Sequence, residues 1–304
     1  MIYRNYLGLD LQSSVLRAVS MQRRGMTLAL TDGRLIGLDQ GVLSPSFRRE
    51  NILDPEAFVA AVQEVLDPIS GTEERISLAL PERAGRILLT QVETPLVNKQ
   101  EGIEIIKWQL RDTLPAEGGL QLDYQVVDRD ESGRQQVLVS CIAEDVLKQY
   151  EDCINQAGYG AECIDFRSLS QVNYYRHRLG SEEDFVVIFL EEQSLVIQVY
   201  QSRIPVYHRA CDIAGDVESV YRELSRVLSG ERTRLGGLRR ETIYLHSGHD
   251  NQDELLDALK QLFERDSVFL LDPDLTRLDS PALSLNSTQA RSLITAIGAA
   301  ERLL

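Results

Sequence analysis

Two stretches about 180 residues apart share one plan, and this duplication constrains the fold more than any other feature of the chain. Near the start, residues 6–11, 15–22 and 26–31 read as three strands joined by short polar turns, beginning with "YLGLDLQSSVLRAVSM". Later, "DFVVIFLEEQ", "SLVIQVYQ" and "RIPVYHRA" form a second meander of the same kind. A helix follows each. The first has Asp54 as N-cap and Pro55 at its first position, with Phe58, Val59, Val62, Val65 and Leu66 at helical spacing. The second is capped by Asp216 and carries Val217, Val220, Tyr221, Leu224, Val227 and Leu228 on one face. Residue identity between the halves is weak, so the repeat is architectural and predicts two α/β lobes of similar plan. A chain of 304 residues suits two such lobes better than one core.

Between the meanders the pattern changes. "ISLALP" reads as a buried strand. From about residue 85 the order becomes strand (87–93), helix (99–113), strand (121–128), strand (135–142), helix (144–157) and strand (161–165). The second of these helices carries Val146, Leu147, Tyr150, Cys153, Ile154 and Ala157 as one stripe, and Gly158 supplies its stop. This βαββαβ run predicts a small α+β subdomain over 85–165, inserted in a first lobe made of 1–84 and 166–181. Residues 167–178 read as a helix returning to that lobe. The second lobe, 182–304, adds a strand (242–246), a helix (252–264), a short strand (267–271) and a final helix (288–303).

Composition removes several function classes. A formal charge of −15 argues against nucleic acid, whose phosphates need clustered Lys and Arg. The longest apolar run, "FVVIFL", falls far short of the roughly 20 residues that span a bilayer. The start "MIYRNYLGLD" lacks the features of a signal peptide, so a cytoplasmic location without direct membrane insertion is expected. The four cysteines, at 141, 153, 163 and 211, form no C-x-x-C and read as core thiols. His246 and His249 with Asp250 could in principle hold a metal; solvated or capping histidines are the preferred reading. Trp108 shares a helix with Ile103, Ile105, Ile106 and Leu110 and reads as core, with a peptide anchor as the alternative. The basic segment 232–240 reads as a solvated loop, with anionic headgroups as its alternative partner.

The order and spacing of several segments resemble the PilM family, the actin-like cytoplasmic proteins of type IV pilus assembly. "GLDLQSSVLRAV" is similar to the family's first phosphate hairpin. "SLALPERAGRILLTQVETP", "EIIKWQLRDTLP" with "LDYQVVD", and "VLVSCIAEDVLKQYEDCINQAGYGAECIDFRSLS" follow its inserted subdomain and return, and "TAIGAAERLL" its last helix. The resemblance implies an α/β, actin-like (ribonuclease H-like) two-lobed fold with the insert in the first lobe. It also implies ATP and magnesium in a cleft, and a short cytoplasmic N-terminal peptide of the bitopic inner-membrane protein PilN as partner, beside other pilus assembly proteins. The cytoplasmic domain of GspL is a relative with a similar scaffold role.

By that resemblance, Asp10 matches the acid of the first hairpin, and Ser13 and Ser14 its hydroxyls, while Gln12 replaces a glycine and Arg17 a lysine. In the second hairpin Phe189 stands where the family has its acid and Glu191 where it has glycine, with Glu192 beside it. Ser247 and Gly248 remain where the family has S-G-G-G on the adenosine side. "RACDIAG" runs directly into "DVESVYREL", so most of the small closing subdomain of that lobe is expected to be absent. The expectation is a scaffold with a degenerate nucleotide site and without ATP hydrolysis, peripheral at the inner membrane through its partner. The alternative is an ATP-binding switch or ATPase of the same machinery. The partner peptide is expected on the insert near its junction with the first lobe, bordered by Trp108, Asp123 and Tyr124.

Overall fold

The structure, a computed structural model, describes residues 4–25, 27–114, 119–179, 182–191, 193–230, 242–248, 251–264, 266–274 and 286–304. The opening half runs β1 (Asn5–Leu11), β2 (Val15–Arg24), β3 (Thr27–Gly37), α1 (Pro55–Ser70), β4 (Arg75–Leu80), β5 (Gly85–Val92), α2 (Lys99–Leu110), β6 (Leu120–Arg129), β7 (Gln135–Ala143), α3 (Glu144–Gln156), β8 (Gly160–Phe166) and α4 (Arg167–Leu179). The closing half runs β9 (Phe185–Glu191), β10 (Ser194–Gln201), β11 (Ile204–Asp212), α5 (Val217–Gly230), β12 (Thr242–Ser247), α6 (Gln252–Phe263), β13 (Val268–Leu270) and α7 (Ser287–Ala300).

The duplication is present strand for strand. The first sheet has the order β3-β2-β1-β4-β8 and the other β11-β10-β9-β12-β13. In each, an antiparallel meander of three strands is extended by two parallel strands. Chain contacts divide the molecule into two compact units, residues 1–174 with 273–304 and residues 175–272.

In the first unit, α1 is capped as its sequence requires: the Asp54 side chain accepts from the Ala57 amide, and Pro55 opens the helix. Phe58, Val62, Val65 and Leu66 of α1 join Leu7, Leu9 and Leu16 in one core. Val146, Tyr150 and Ile154 of α3 pack into that same core, and β8 pairs in parallel with β4. Helix α3 and strand β8, expected in the insert, therefore lie with the first sheet. The apolar stripe of α3 meets α1 on one side and Ile87 and Ile142 of the insert strands on the other, while the backbone edge of β8 is matched by β4. The three-stranded sheet is β5-β7-β6, with α2 on one face over Leu122, Val137, Val139 and Cys141.

The last helix also lies away from its expected place. Helix α7, expected with the closing half, packs on β1, β2 and β4. It is capped by a reciprocal pair in which Asn286 accepts from the Gln289 amide and Gln289 from the Asn286 amide. Its residues 293–300 are all buried because it is enclosed by two backbones. A Cβ at Gly8 of β1 would collide with the Ala296 carbonyl, and one at Gly298 with the Ser170 carbonyl of α4.

In the second unit α5 and α6 cover one face of the sheet, with Val220, Leu224, Leu255 and Leu259 against Ile188, Ile197 and Leu245. Asp216 caps α5, accepting from the Ser219 amide at 2.6 Å. Only residues 213–216 separate β11 from α5. Among the described residues no helix is long and apolar enough to cross a membrane.

Trp108 departs from the core reading: it is 66% exposed. Helix α2 buries Gly102, Ile106 and Leu110, while Glu101, Glu104, Trp108 and Arg111 form its outward stripe. The Arg111 guanidinium lies 4.9 Å from the indole centroid.

Candidate functional site

In parallel α/β sheets, ligands gather beyond the carboxyl ends of the strands, where loops and helix N-termini converge. In the first unit those ends carry Asp10 (β1), Glu82 (after β4) and Arg167 (after β8). Asp10 is fully buried. Arg167 Nε donates to Asp10 Oδ1 at 2.6 Å and its Nη2 to Oδ2 at 3.4 Å. Arg17, directly opposite Asp10 on β2, donates from Nη1 to Oδ2 at 3.5 Å. The carboxylate that would position a metal is thus held between two guanidinium groups. A magnesium ion there would have to displace an arginine from a buried acid, with two positive charges close by. These residues do not fit a hydrated metal.

Glu82 completes the cluster. Its Oε1 accepts the Ser168 amide at 2.7 Å, which caps the start of α4. Burial pushes this carboxyl up to about 7, against the lowering effect of the Ser168 bonds and of Arg167. At the hairpin turn Gln12 is buried, whereas Ser13 and Ser14 are exposed.

The second unit closes its strand ends in its own way. His246, fully buried on β12, faces Glu191 Oε1 through Nε2 at 3.0 Å and the Tyr175 hydroxyl through Nδ1 at 3.0 Å. A carboxylate only accepts, so Nε2 carries the hydrogen of that bond. The Tyr175 hydroxyl also reaches the Leu271 carbonyl at 3.1 Å. Glu191 Oε2 lies 2.8 Å from the point a Cβ on Gly248 would occupy. The clearance that glycine leaves for a ligand is taken by the protein's own carboxylate. Phe189, which by the resemblance stands where the family has its acid, is buried beside the His246 ring. Ser247 is buried, and its carbonyl accepts from Gln252.

A third place has the form of a groove. A cavity of about 270 Å³ in the first unit lies where the insert meets the first sheet. Residues of β6, β7, α3 and β8 line it, among them Asp123, Glu151, Glu162 and Asp165, with no Lys or Arg. Burial raises the Asp165 carboxyl, Arg302 opposes that, and Asp123 adds to it. A wider hollow of about 870 Å³ beside α3 mixes Arg48, Arg49 and Lys148 with Glu50, Asp145 and Asp152. Its charges do not converge on one ligand chemistry.

Of the three partner candidates, Asp123 lines the groove; Trp108 and Tyr124 do not. Tyr124 packs on the first turn of α2, its hydroxyl against Gly102 and its ring 4.4 Å below Lys99 Nζ. Arg167, Glu82 and His246 with Glu191 and Tyr175 carry the strand ends; sequence reasoning names Arg167, Glu82 and Tyr175 for no site, His246 only for a metal set and Glu191 only as the residue replacing a hairpin glycine. A buried acid at the end of β1 demands a cation, but nothing local names one 157 positions away. Among the described residues no three His, Cys, Asp or Glu side chains are grouped to hold a metal. His249, Asp250, Glu192 and the basic segment 232–240 lie outside the described residues. Cys141 and Cys153 are buried and Cys163 and Cys211 partly so, all four unpaired.

The doubled sheet, the insert in the first half and the strand-end sites define an actin-like fold, and comparison with solved structures agrees. A PilM–PilN type IV pilus biogenesis complex superposes with a TM-score of 0.78 at 19% identity, covering 97% of both chains. A Bacteroides thetaiotaomicron protein with an actin-like ATPase fold and unknown function gives 0.55 at 11% identity, covering 88% of this chain and 91% of that one. The cytoplasmic domain of EpsL, an inner-membrane component of the Vibrio cholerae type II secretion system, gives 0.50 at 10%, covering 95% and 94%. No family model and no curated protein matches the sequence.

Proposed function

We propose that this protein is a cytoplasmic scaffold of type IV pilus or related secretion assembly, which binds a short peptide of a PilN-like inner-membrane partner and does not hydrolyse ATP. The observation that carries the reading is the Asp10–Arg167 pair: the acid needed for a nucleotide-bound metal is neutralised from inside the fold. Glu191, held on His246 against Gly248, supports it from the other unit. A platform of this kind needs surfaces and no chemistry, and the groove beside the insert is the surface it offers. Likeness to a structure of PilM with PilN, and to the EpsL domain, supports the choice of machinery. With no membrane span among the described residues, the partner would carry the protein to the inner membrane.

The exposed hydroxyls of Ser13 and Ser14 favour a second reading, an ATP-binding switch. One experiment separates the two. A ligand at 100 times its dissociation constant adds about 2.7 kcal/mol to native stability, so bound nucleotide gives a clear rise in melting temperature. Millimolar Mg-ATP is expected to give none, and the cytoplasmic N-terminal peptide of the membrane partner is expected to give one. A saturable rise with Mg-ATP, lost in Ser13→Ala/Ser14→Ala, puts the switch first; no rise with the peptide removes the scaffold reading.

A further inference from the structure

Helix α2 turns one face to solvent and holds it in a fixed place. Its inner side is buried at Gly102, Ile106 and Leu110. Asn98 caps its start, accepting from the Glu101 amide at 2.9 Å. Near its end Gln109 Nε2 donates to Thr90 Oγ1 at 3.0 Å and to the Gln91 carbonyl at 2.9 Å. On the outer side Glu104, Trp108 and Arg111 follow one another at spacings of four and three residues, so they lie in a single exposed stripe. The only tryptophan of the chain stands at the centre of that stripe. Glu104 has no polar partner among the described residues. Arg111 rests on the indole and comes within 3.7 Å of Asp112, yet it stays 59% exposed.

We propose that this stripe docks a second copy of the chain, the two α2 helices lying antiparallel. The order acid, indole, cation is self-complementary. Turned end for end about a two-fold axis beside Trp108, a second α2 sets its Arg111 against Glu104 and its Glu104 against Arg111. The two indoles then meet at the axis, and the helix dipoles run opposed. A parallel pairing sets acid on acid and cation on cation, so the charges select one arrangement. A stable complex covers about 1,600 Å² in all, and two indoles bury only about 150–250 Å² each. The pairing is therefore weak. Copies stay apart in dilute solution, with the indole exposed, and join as they are concentrated. None of this depends on which membrane partner the protein serves.

The test is sedimentation equilibrium of the whole protein between about 5 and about 500 μM. Monomer is expected at the low end and dimer at the high end, with iodide quenching of Trp108 falling over the same range. Glu104→Arg and Arg111→Glu, each alone, put like charges at both contacts and should weaken the dimer at least about tenfold. Mixed in equal amounts, the two variants regain two opposite pairs, so the mixture should dimerise within about threefold of the unaltered protein. That rescue also controls for folding, since a misfolded variant is not repaired by its counterpart. Trp108→Ala should abolish the dimer with both charges kept. A protein that is monomeric throughout, a dimer that persists in either reversal variant, or a mixture that stays monomeric overturns the proposal.

Discussion

A methyl group at Gly8 of β1 would strike the carbonyl oxygen of Ala296 in α7: the strand and the helix touch backbone to backbone. The helix returns from the far end of the chain to close the first unit, and it can do so only over a residue without a side chain. Gly8→Ala is therefore expected to destabilise the protein by about 1–3 kcal/mol or more, since backbone cannot rotate away as a side chain can. Urea unfolding checks this. An unchanged midpoint would mean that α7 does not lie where the structure puts it.

Arg167→Ala should be among the most damaging single changes, at about 3–5 kcal/mol, because it leaves a buried carboxylate with Arg17 alone. Replacing the pair together, Asp10→Leu with Arg167→Met, should cost less than Arg167→Ala. The order of the two urea midpoints is the measurement. If the single change is the milder, Asp10 is not held as described.

Two half-buried groups set opposed pH dependences. Burial lowers His208 from 6.5 to about 4, so the unfolded chain binds the proton first and stability is lost as pH falls from about 6.5 toward 4. Burial raises Glu82 from 4.5 to about 7, so its contribution is present below 4.5 and is lost as pH rises through 7. Between 4.5 and 6.5 the slopes have opposite signs. Glu82→Gln should leave a protein that weakens toward acid, and His208→Gln one that strengthens toward acid, each by about 1 kcal/mol per pH unit in mid-range. Matching pH profiles for the two variants would contradict both assignments.

The single tryptophan gives a direct optical check. Trp108 faces outward on α2, so its emission should be that of an exposed indole and should be readily quenched by iodide. Trp108→Ala should shift stability by less than about 0.5 kcal/mol. Because the indole does not line the groove, the variant should also keep its affinity for a groove peptide. A blue-shifted, protected spectrum would return Trp108 to the core.

These tests fall where local pattern stops informing. The meanders, α1 with Asp54 and Pro55, α3 with its Gly158 stop, and the doubled plan were legible, because period and caps act over a few residues. The positions of β8 and α7 were not. Strand β8 has the periodicity of any strand, and only its register with β4 says which sheet it extends. The outward turn of Trp108 was partly legible: Ile106 and Leu110 define the buried face, and residue 108 falls off it. Of the strand-end chemistry, Asp10 was readable as an acid at a turn. Arg167 and the Glu191–His246 contact join positions 157 and 55 residues apart, and no spacing rule reaches that far.

At the edge of β6, Lys99 Nζ donates to the Tyr124 carbonyl and Asp123 Oδ1 accepts the Tyr124 amide, and this bears on how the protein survives in a crowded solution. A bare strand edge is a template on which any stray extended chain can nucleate a mixed sheet. These side chains, 55% and 69% exposed, already hold two of the bonds such an intruder would need. A newly made copy can therefore wait at high concentration without sticking to its neighbours through β6. Stripping that guard, as in Lys99→Ala, would leave the Tyr124 carbonyl open to a neighbouring chain.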